Sequence, residues 1–179
     1  MNLKDLTIDI SWTLFLDRDG VINKRIVDDY VKKWDEFEFV EGVIDAVKKF
    51  KTVFGTIIVV TNQQGIGKGI MRPEDLELIH KNMIYELTYF GGKIDKVYYS
   101  PFLASENHST RKPAIGMALQ AKKDFPQIDF NRSIMVGDSG SDIAFGKNAG
   151  MKTVFIGAHN NYKADLYCSS LVDFSKLLA

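Results

Sequence analysis

A single cysteine, Cys168, stands in the whole chain, so no internal disulfide forms and no cysteine cluster holds zinc. No apolar run approaches the ~18 residues that suggest a membrane span. The stretch MNLKDLTIDISWTLF (1–15) carries acidic residues where a secretion signal needs a basic and then an apolar region. These absences predict a cytoplasmic protein with no membrane partner. Net charge is missing too, because 23 Lys and Arg face 23 Asp and Glu. A protein that grips nucleic acid through its phosphates wants a positive surplus, so nucleic acid is not an expected partner. Balanced charge permits self-association without demanding it, and a monomer is expected. There is no internal repeat, low-complexity tract or evident linker. The 179 residues therefore read as one domain (1–179), ordinary in composition and long enough to bury a core.

What is present is an alternation. WTLFLD (12–17), TIIVVT (56–61), KVYYS (96–100), SIMVG (133–137) and KTVFIG (152–157) read as strands. All but the third are nearly continuous apolar runs, as strands covered on both faces should be. Between them, 42–50, 73–90, 113–125 and 141–150 read as helices, with Pro73 and Pro113 in first turns and Gly150 at a stop. Lys48, Lys49 and Lys51 form the solvated face of the first helix. The pattern predicts an α/β fold, a Rossmann-like three-layer sandwich around a parallel sheet. A site on such a sheet forms beyond the carboxyl ends of the strands. The irregular stretches 23–39 and 100–112 follow strand ends and should overhang it.

Four polar clusters fall at those ends: DRDG (17–20), TNQQG (61–65), STRKP (109–113) and GDSGSD (137–142). Each has a plain structural reading. DRDG serves as a turn, TNQQG as a polar turn or helix cap, and RKP as an exposed basic loop. GDSGSD serves as a cap at Ser141 or an acidic cation-binding loop. Coincidence of all four at neighbouring strand ends is the stronger signal. Asp17 and Asp19, two apart on extended chain, point to one side. With Asp138 they bring together three carboxylates, which calls for a hard divalent cation, and all-oxygen ligands suit Mg²⁺. A carboxylate attacking phosphorus splits ester hydrolysis into two easier steps. Lys112, the Thr61 hydroxyl, the Asn62 region and backbone N–H groups near Asp19 and Gly20 are candidates to stabilise the transferring phosphoryl group. The second carboxylate is a candidate to protonate the leaving alkoxide.

These four clusters resemble the motifs of the haloacid dehalogenase (HAD) superfamily of Mg²⁺-dependent phosphatases, over roughly residues 12–157. Within it, DRDGVIN, FEFVEGVIDA, VVTNQQGIGKG and RKPAIGM resemble the heptose-bisphosphate and histidinol-phosphate phosphatases. The resemblance implies Asp17 as nucleophile and metal ligand. It implies Asp19 as general acid and base, with its carbonyl on the metal, and Asp138 as a further ligand. Thr61 and Lys112 would bind the phosphoryl group. Arg111, with Asn62, Gln63 and Gln64, would line the substrate pocket, and Asp142 would orient the site from behind.

One departure stands out. That group usually carries Cys-x-His and Cys-x-Cys pairs around a zinc loop, and here those places read Ser100-Pro101-Phe102 and His108-Ser109-Thr110. His108 alone cannot hold zinc, so no structural zinc is expected. The insertions are too short for a separate cap domain, which leaves a flap at about 23–39. Specificity then rests on Lys24, Arg25, Asp28, Asp29 and Tyr30, on the Arg111 loop, or on an oligomeric neighbour. Tyr30, Trp34 and Phe39 are expected to pack locally. The expected substrate is a small phosphate ester, with D-glycero-D-manno-heptose 1,7-bisphosphate (at its 7-phosphate) the best match. Histidinol phosphate and a polynucleotide 3′-phosphate are the alternatives, and an inactive phosphate-binding regulatory module is the non-enzymatic one.

Overall fold

The computed structural model describes residues 7–158 and 161–178; residues 1–6, part of the stretch read against a secretion signal, lie outside them. Six parallel strands form one sheet: β1 (Thr13–Leu16), β2 (Thr56–Asn62), β3 (Lys96–Ser100), β4 (Ser133–Gly137), β5 (Lys152–Ile156) and β6 (Leu166–Cys168). Their order is β3-β2-β1-β4-β5-β6. The chain steps outward from β1 to β3 and returns on the other side at β4, so Thr13 pairs with both Thr56 and Ser133. The switch point thus lies between β1 and β4, where a doubly wound sheet opens its crevice. KVYYS is less uniformly apolar because β3 is an edge strand with alternating burial.

Helices α1 (Val43–Val53), α3 (Pro73–Tyr89) and α6 (Leu171–Lys176) cover one face. Their Phe50, Met83 and Phe174 pack with Leu14, Leu16, Ile57, Val59, Ile134 and Val136 of the sheet. On the other face, α4 (Gly116–Asp124) and α5 (Gly140–Ala149) pack Met117, Ala121 and Phe145 on Phe15, Ile58 and Met135. The alternation of strand side chains between the two clusters follows the period of two and gives the expected three layers. A short α2 (Gln64–Gly67) follows β2, its Gly67 N–H bonded to Pro101 O at 3.1 Å. Among the described residues no helix is long and apolar enough to cross a membrane.

Three expectations are corrected. Pro113 does not open α4. Residues 109–116 first close a loop, with Gly116 N–H on Ser109 O at 2.9 Å, and a Cβ at 116 would lie 2.3 Å from that oxygen. The cap of α5 is Ser139, not Ser141, because Ser139 and Asp142 exchange backbone and side-chain hydrogen bonds as a capping box. The sheet also gains β6 and α6, whose Ser170 accepts from Asp173 N–H at 3.1 Å.

Within 23–39 the only helical element is a 3₁₀ turn, Trp34–Glu36. Trp34 stacks on Phe37 with centroids 4.9 Å apart, and Phe37 meets Phe39 edge-on at 5.1 Å. Val31 packs with Met71, Leu76 and Ile79, which seats the flap on the first half of α3.

Phe174, fully buried and 5.6 Å from the Phe50 ring, ties α6 into the core. Truncation to Ala in urea denaturation should cost roughly 3–5 kcal/mol; a cost below about 1 kcal/mol would detach α6 from the core.

Candidate active site

Lys112 is the hub of the site. Its ammonium, almost wholly buried, donates to Asp17 Oδ1 and to Val60 O, each at 2.7 Å, and lies 2.6 Å from Asp142 Oδ1. It thereby joins the ends of β1 and β2 to the first turn of α5. Asn62 holds the RKP loop in register, accepting from Lys112 N–H at 3.0 Å and donating to Lys112 O at 3.1 Å. Asp17 N–H bonds Val136 O at 2.9 Å, which fixes the carboxylate at the β1–β4 switch point.

Asp17 and Asp19 do not share an extended strand, contrary to the expectation from their spacing. β1 stops at Leu16, and the N–H groups of Val21, Ile22 and Asn23 converge on Arg18 O in a tight turn. Gly20 takes φ 88° there, and a Cβ on it would lie 1.9 Å from Asp138 Oδ2. Only glycine lets the β4 carboxylate come up against this turn. The two acids therefore have separate partners. Asp19 receives both oxygens' bonds from Arg18 (2.9 and 3.0 Å), with Asn23 at 2.9 Å and Gln63 at 2.7 Å. Arg18 is fully buried and also reaches His80 Nε2 at 3.1 Å.

Electrostatics separates the acids further. Burial, then the charge of Asp142, pushes Asp17 above the usual carboxylate range despite Lys112. Burial raises Asp138 to about 6, with Arg25 opposing and Asp142 adding to the rise. For Asp19 burial also works upward, but the Arg18 charge and the Arg18, Asn23 and Gln63 hydrogen bonds outweigh it and hold the carboxyl low. Burial disfavours charge on Lys112, yet Asp142 and Asp17 more than restore it.

Carboxylate oxygens of Asp17, Asp138 and Asp142 all lie within 4.8 Å of one another. An anionic, all-oxygen donor set in which the Asp142 charge adds to the raised pKa of Asp17 and Asp138 fits a hard divalent cation such as Mg²⁺. The Asp19 side chain is not in this group. Asp142, expected behind the site, belongs to it as well as to Lys112. Arg25 stands against the same group, donating to Asp138 Oδ1 at 2.8 Å and to Asp19 O at 3.3 Å.

A cavity of about 470 Å³ opens over these groups and is lined by Asp17, Asp19, Thr61, Asn62, Gln64, Arg111 and Lys112. Gln63 is fully buried and does not line it; its amide instead bonds Asp19 and Thr61 Oγ1. From the flap, Arg25, Asp28, Asp29 and Tyr30 reach the cavity, while Lys24 pairs with Glu38. Tyr30 is thus more than a packing residue, its hydroxyl accepting from Gln64 and Lys68. Arg111 lines the wall with one guanidinium N–H on Phe102 O at 3.0 Å. His108 stacks on Phe102 and accepts from Thr110 N–H at 3.2 Å, a loop-packing role. Sequence reasoning missed Arg25 on Asp138 and His80 on Arg18. Arg18 itself, held between two acids in DRDG, was the one available signal.

Fold and site together define a HAD-like phosphatase. The family described as polynucleotide kinase 3 phosphatase matches residues 9–171. A Mycobacterium bovis D-glycero-alpha-D-manno-heptose-1,7-bisphosphate 7-phosphatase is 42% identical over 76% of this chain and 72% of its own. A Helicobacter pylori beta-heptose counterpart is 36% identical over 84% and 85%. The solved D,D-heptose 1,7-bisphosphate phosphatase from B. bronchiseptica, complexed with magnesium and phosphate, superposes with TM-score 0.82 at 25% identity, covering 92% of this chain and 96% of its own. The chain belongs to the polynucleotide kinase 3 phosphatase family of HAD-like phosphatases.

Two outcomes test the electrostatics. Lys112→Ala leaves Asp17 and Asp142 buried and unpaired, and should destabilise the metal-free protein in urea by about 3–5 kcal/mol. His80 titrates near 3, because burial and then the Arg18 charge disfavour its proton. The unfolded chain binds that proton below about 6.5, so His80 adds stability above that pH and loses it progressively toward 3. His80→Gln, which can still accept from Arg18, should therefore show a smaller drop in Tm between pH 6.5 and 4.5 than wild type.

Proposed function

We propose that this phosphatase removes the 7-phosphate of a D-glycero-D-manno-heptose 1,7-bisphosphate, using Mg²⁺ held by Asp17, Asp138, Asp142 and the Asp19 carbonyl. The observation that carries the reading is Asp17, fixed by Lys112 at the switch point, facing the cavity and grouped with two further carboxylates. The relatives' names support the substrate, and the magnesium and phosphate in the solved relative support the cofactor.

In the first half-reaction an Asp17 oxygen bonds to phosphorus as the ester P–O bond breaks, giving an aspartyl-phosphate and an alkoxide that takes a proton from Asp19. In the second, water attacks the same phosphorus and gives its proton to Asp19, releasing phosphate and restoring Asp17. The resting hydrogen bonds hold Asp19 ionised, the form needed for the second half. Its role as acid in the first requires a proton gained beside the bound phosphate dianion. Lys112 and Thr61 take the equatorial phosphoryl oxygens. Bound Mg²⁺ would supply charge neutralisation at the phosphate. Arg111, Gln64 and the flap then select the rest of the ester. A cytoplasmic, single-domain, monomeric enzyme without structural zinc completes the proposal.

The family's description favours a second reading, a polynucleotide 3′-phosphate, against which the balanced charge counts. Phosphate release should be assayed with both anomers of the heptose bisphosphate, histidinol phosphate and a 3′-phosphorylated oligonucleotide. The expected result is the highest kcat/KM for a heptose bisphosphate and loss of turnover in EDTA. Asp17→Asn should leave none, and Asp19→Asn should fall about 10²–10⁴-fold. Wild-type turnover in Asp17→Asn would overturn the covalent route.

A further inference from the structure

Arg25 occupies an unusual position for a flap residue. Its guanidinium bridges Asp138 Oδ1 at 2.8 Å and Asp19 O at 3.3 Å. Those are two of the oxygens assigned above to the cation, and they come from opposite ends of the chain. Two other flap cations pair away from the carboxylate group, Lys24 with Glu38 and Lys32 with Asp29. The Arg25 side chain is about half exposed (52%), whereas Asp138 is only 17% exposed, so the arginine has an open path away and the carboxylate does not.

Charge makes joint occupancy unfavourable. Asp17, Asp138 and Asp142 are faced by Lys112 and Arg25, while Asp19 is matched by Arg18. With Arg25 in place, one negative charge remains in the group. A divalent ion added on top would leave it positive, whereas a divalent ion in place of Arg25 balances it. At ~4 Å a guanidinium and a divalent cation repel strongly in a partly desolvated site. Asp138 Oδ1 also cannot give its full lone-pair density to both.

We propose that Arg25 is a built-in stand-in for the divalent cation: it neutralises Asp138 in the metal-free enzyme, and metal binding displaces it. Metal loading and flap position are thereby coupled, and the coupling is reciprocal. Whatever holds Arg25 on Asp138 weakens the cation, and the bound cation frees the flap at residues 24–30. This rests on the reading of the carboxylate group as a divalent-cation site.

The test is Mg²⁺ titration by calorimetry of wild type, Arg25→Ala and Arg25→Gln, at neutral pH and low salt. Lys24→Ala, which removes a neighbouring flap cation, serves as the control. Removing the competitor should tighten Mg²⁺ binding roughly 3- to 10-fold in both Arg25 variants and leave Lys24→Ala unchanged. Hydrogen exchange should show Mg²⁺ altering protection over residues 24–30 in wild type but not in Arg25→Ala. Equal or weaker Mg²⁺ binding in both Arg25 variants would overturn the displacement alone. Absence of Mg²⁺ and Mn²⁺ binding in every protein, wild type included, would overturn the cation site and the inference with it.

Discussion

The buried ammonium of Lys112 is the interaction on which the rest of this structure depends. Three carboxylates meet at the carboxyl ends of β1 and β4 and the start of α5, largely out of water. Burial disfavours their charged forms and raises Asp17 and Asp138, and the Asp142 charge adds to the rise. Lys112 makes the cluster tolerable by touching two of the acids and a backbone carbonyl together. Breaking any one contact leaves a charge buried without compensation, which costs far more than a surface pair. The fold delivers this arrangement through strand order: a sheet that reverses between β1 and β4 puts Asp17 beside Asp138, 121 positions later in the chain.

The site divides its charges into two sets. Asp17, Asp138 and Asp142 share Lys112 and Arg25 and sit where a cation fits. Asp19 is set apart by Arg18, Asn23 and Gln63, with neutral His80 accepting from Arg18 behind it. Separation of this kind gives two nearby carboxylates different proton affinities, with Asp17 raised by burial and the Asp142 charge, and Asp19 held low by Arg18, Asn23 and Gln63. Gly20 completes it, because its positive φ turns the chain just after Asp19 and its missing Cβ makes room for Asp138.

Much of this was legible in the sequence, for identifiable reasons. The five longer strands announced themselves as apolar runs bounded by turn residues, and the four polar clusters marked their ends. β6 did not, because three residues, LYC, carry too little pattern to be heard against the polar segment before them. α6 is only six residues long and is secured by Phe174 meeting Phe50, a contact no local window contains. Pro113 misled because a first-turn proline signal ignores tertiary closure of the loop by Gly116. The spacing of Asp17 and Asp19 suggested one extended strand; the strand ends at Leu16 and the turn from Arg18 gives the acids different partners, although both still line one cavity. Arg25 and His80 were invisible for a common reason: each acts through a partner far along the chain, at separations of 113 and 62 residues.

The flap brings side chains over a site that has no large cover. It is anchored by Val31 on α3 and by the Trp34–Phe37–Phe39 cluster, yet it sends Arg25, Asp28, Asp29 and Tyr30 into the cavity. Its charges are mixed in sign, which suits a polyhydroxylated phosphate ester better than a long polyanion. The chemistry beneath it rests on one claim, that the Asp17 carboxylate becomes phosphorylated. Rapid acid quench during turnover, borohydride reduction and peptide mass spectrometry test it directly. The account predicts homoserine in place of Asp17, and only in samples given substrate. Reduction at another residue, or none during demonstrated turnover, would contradict it.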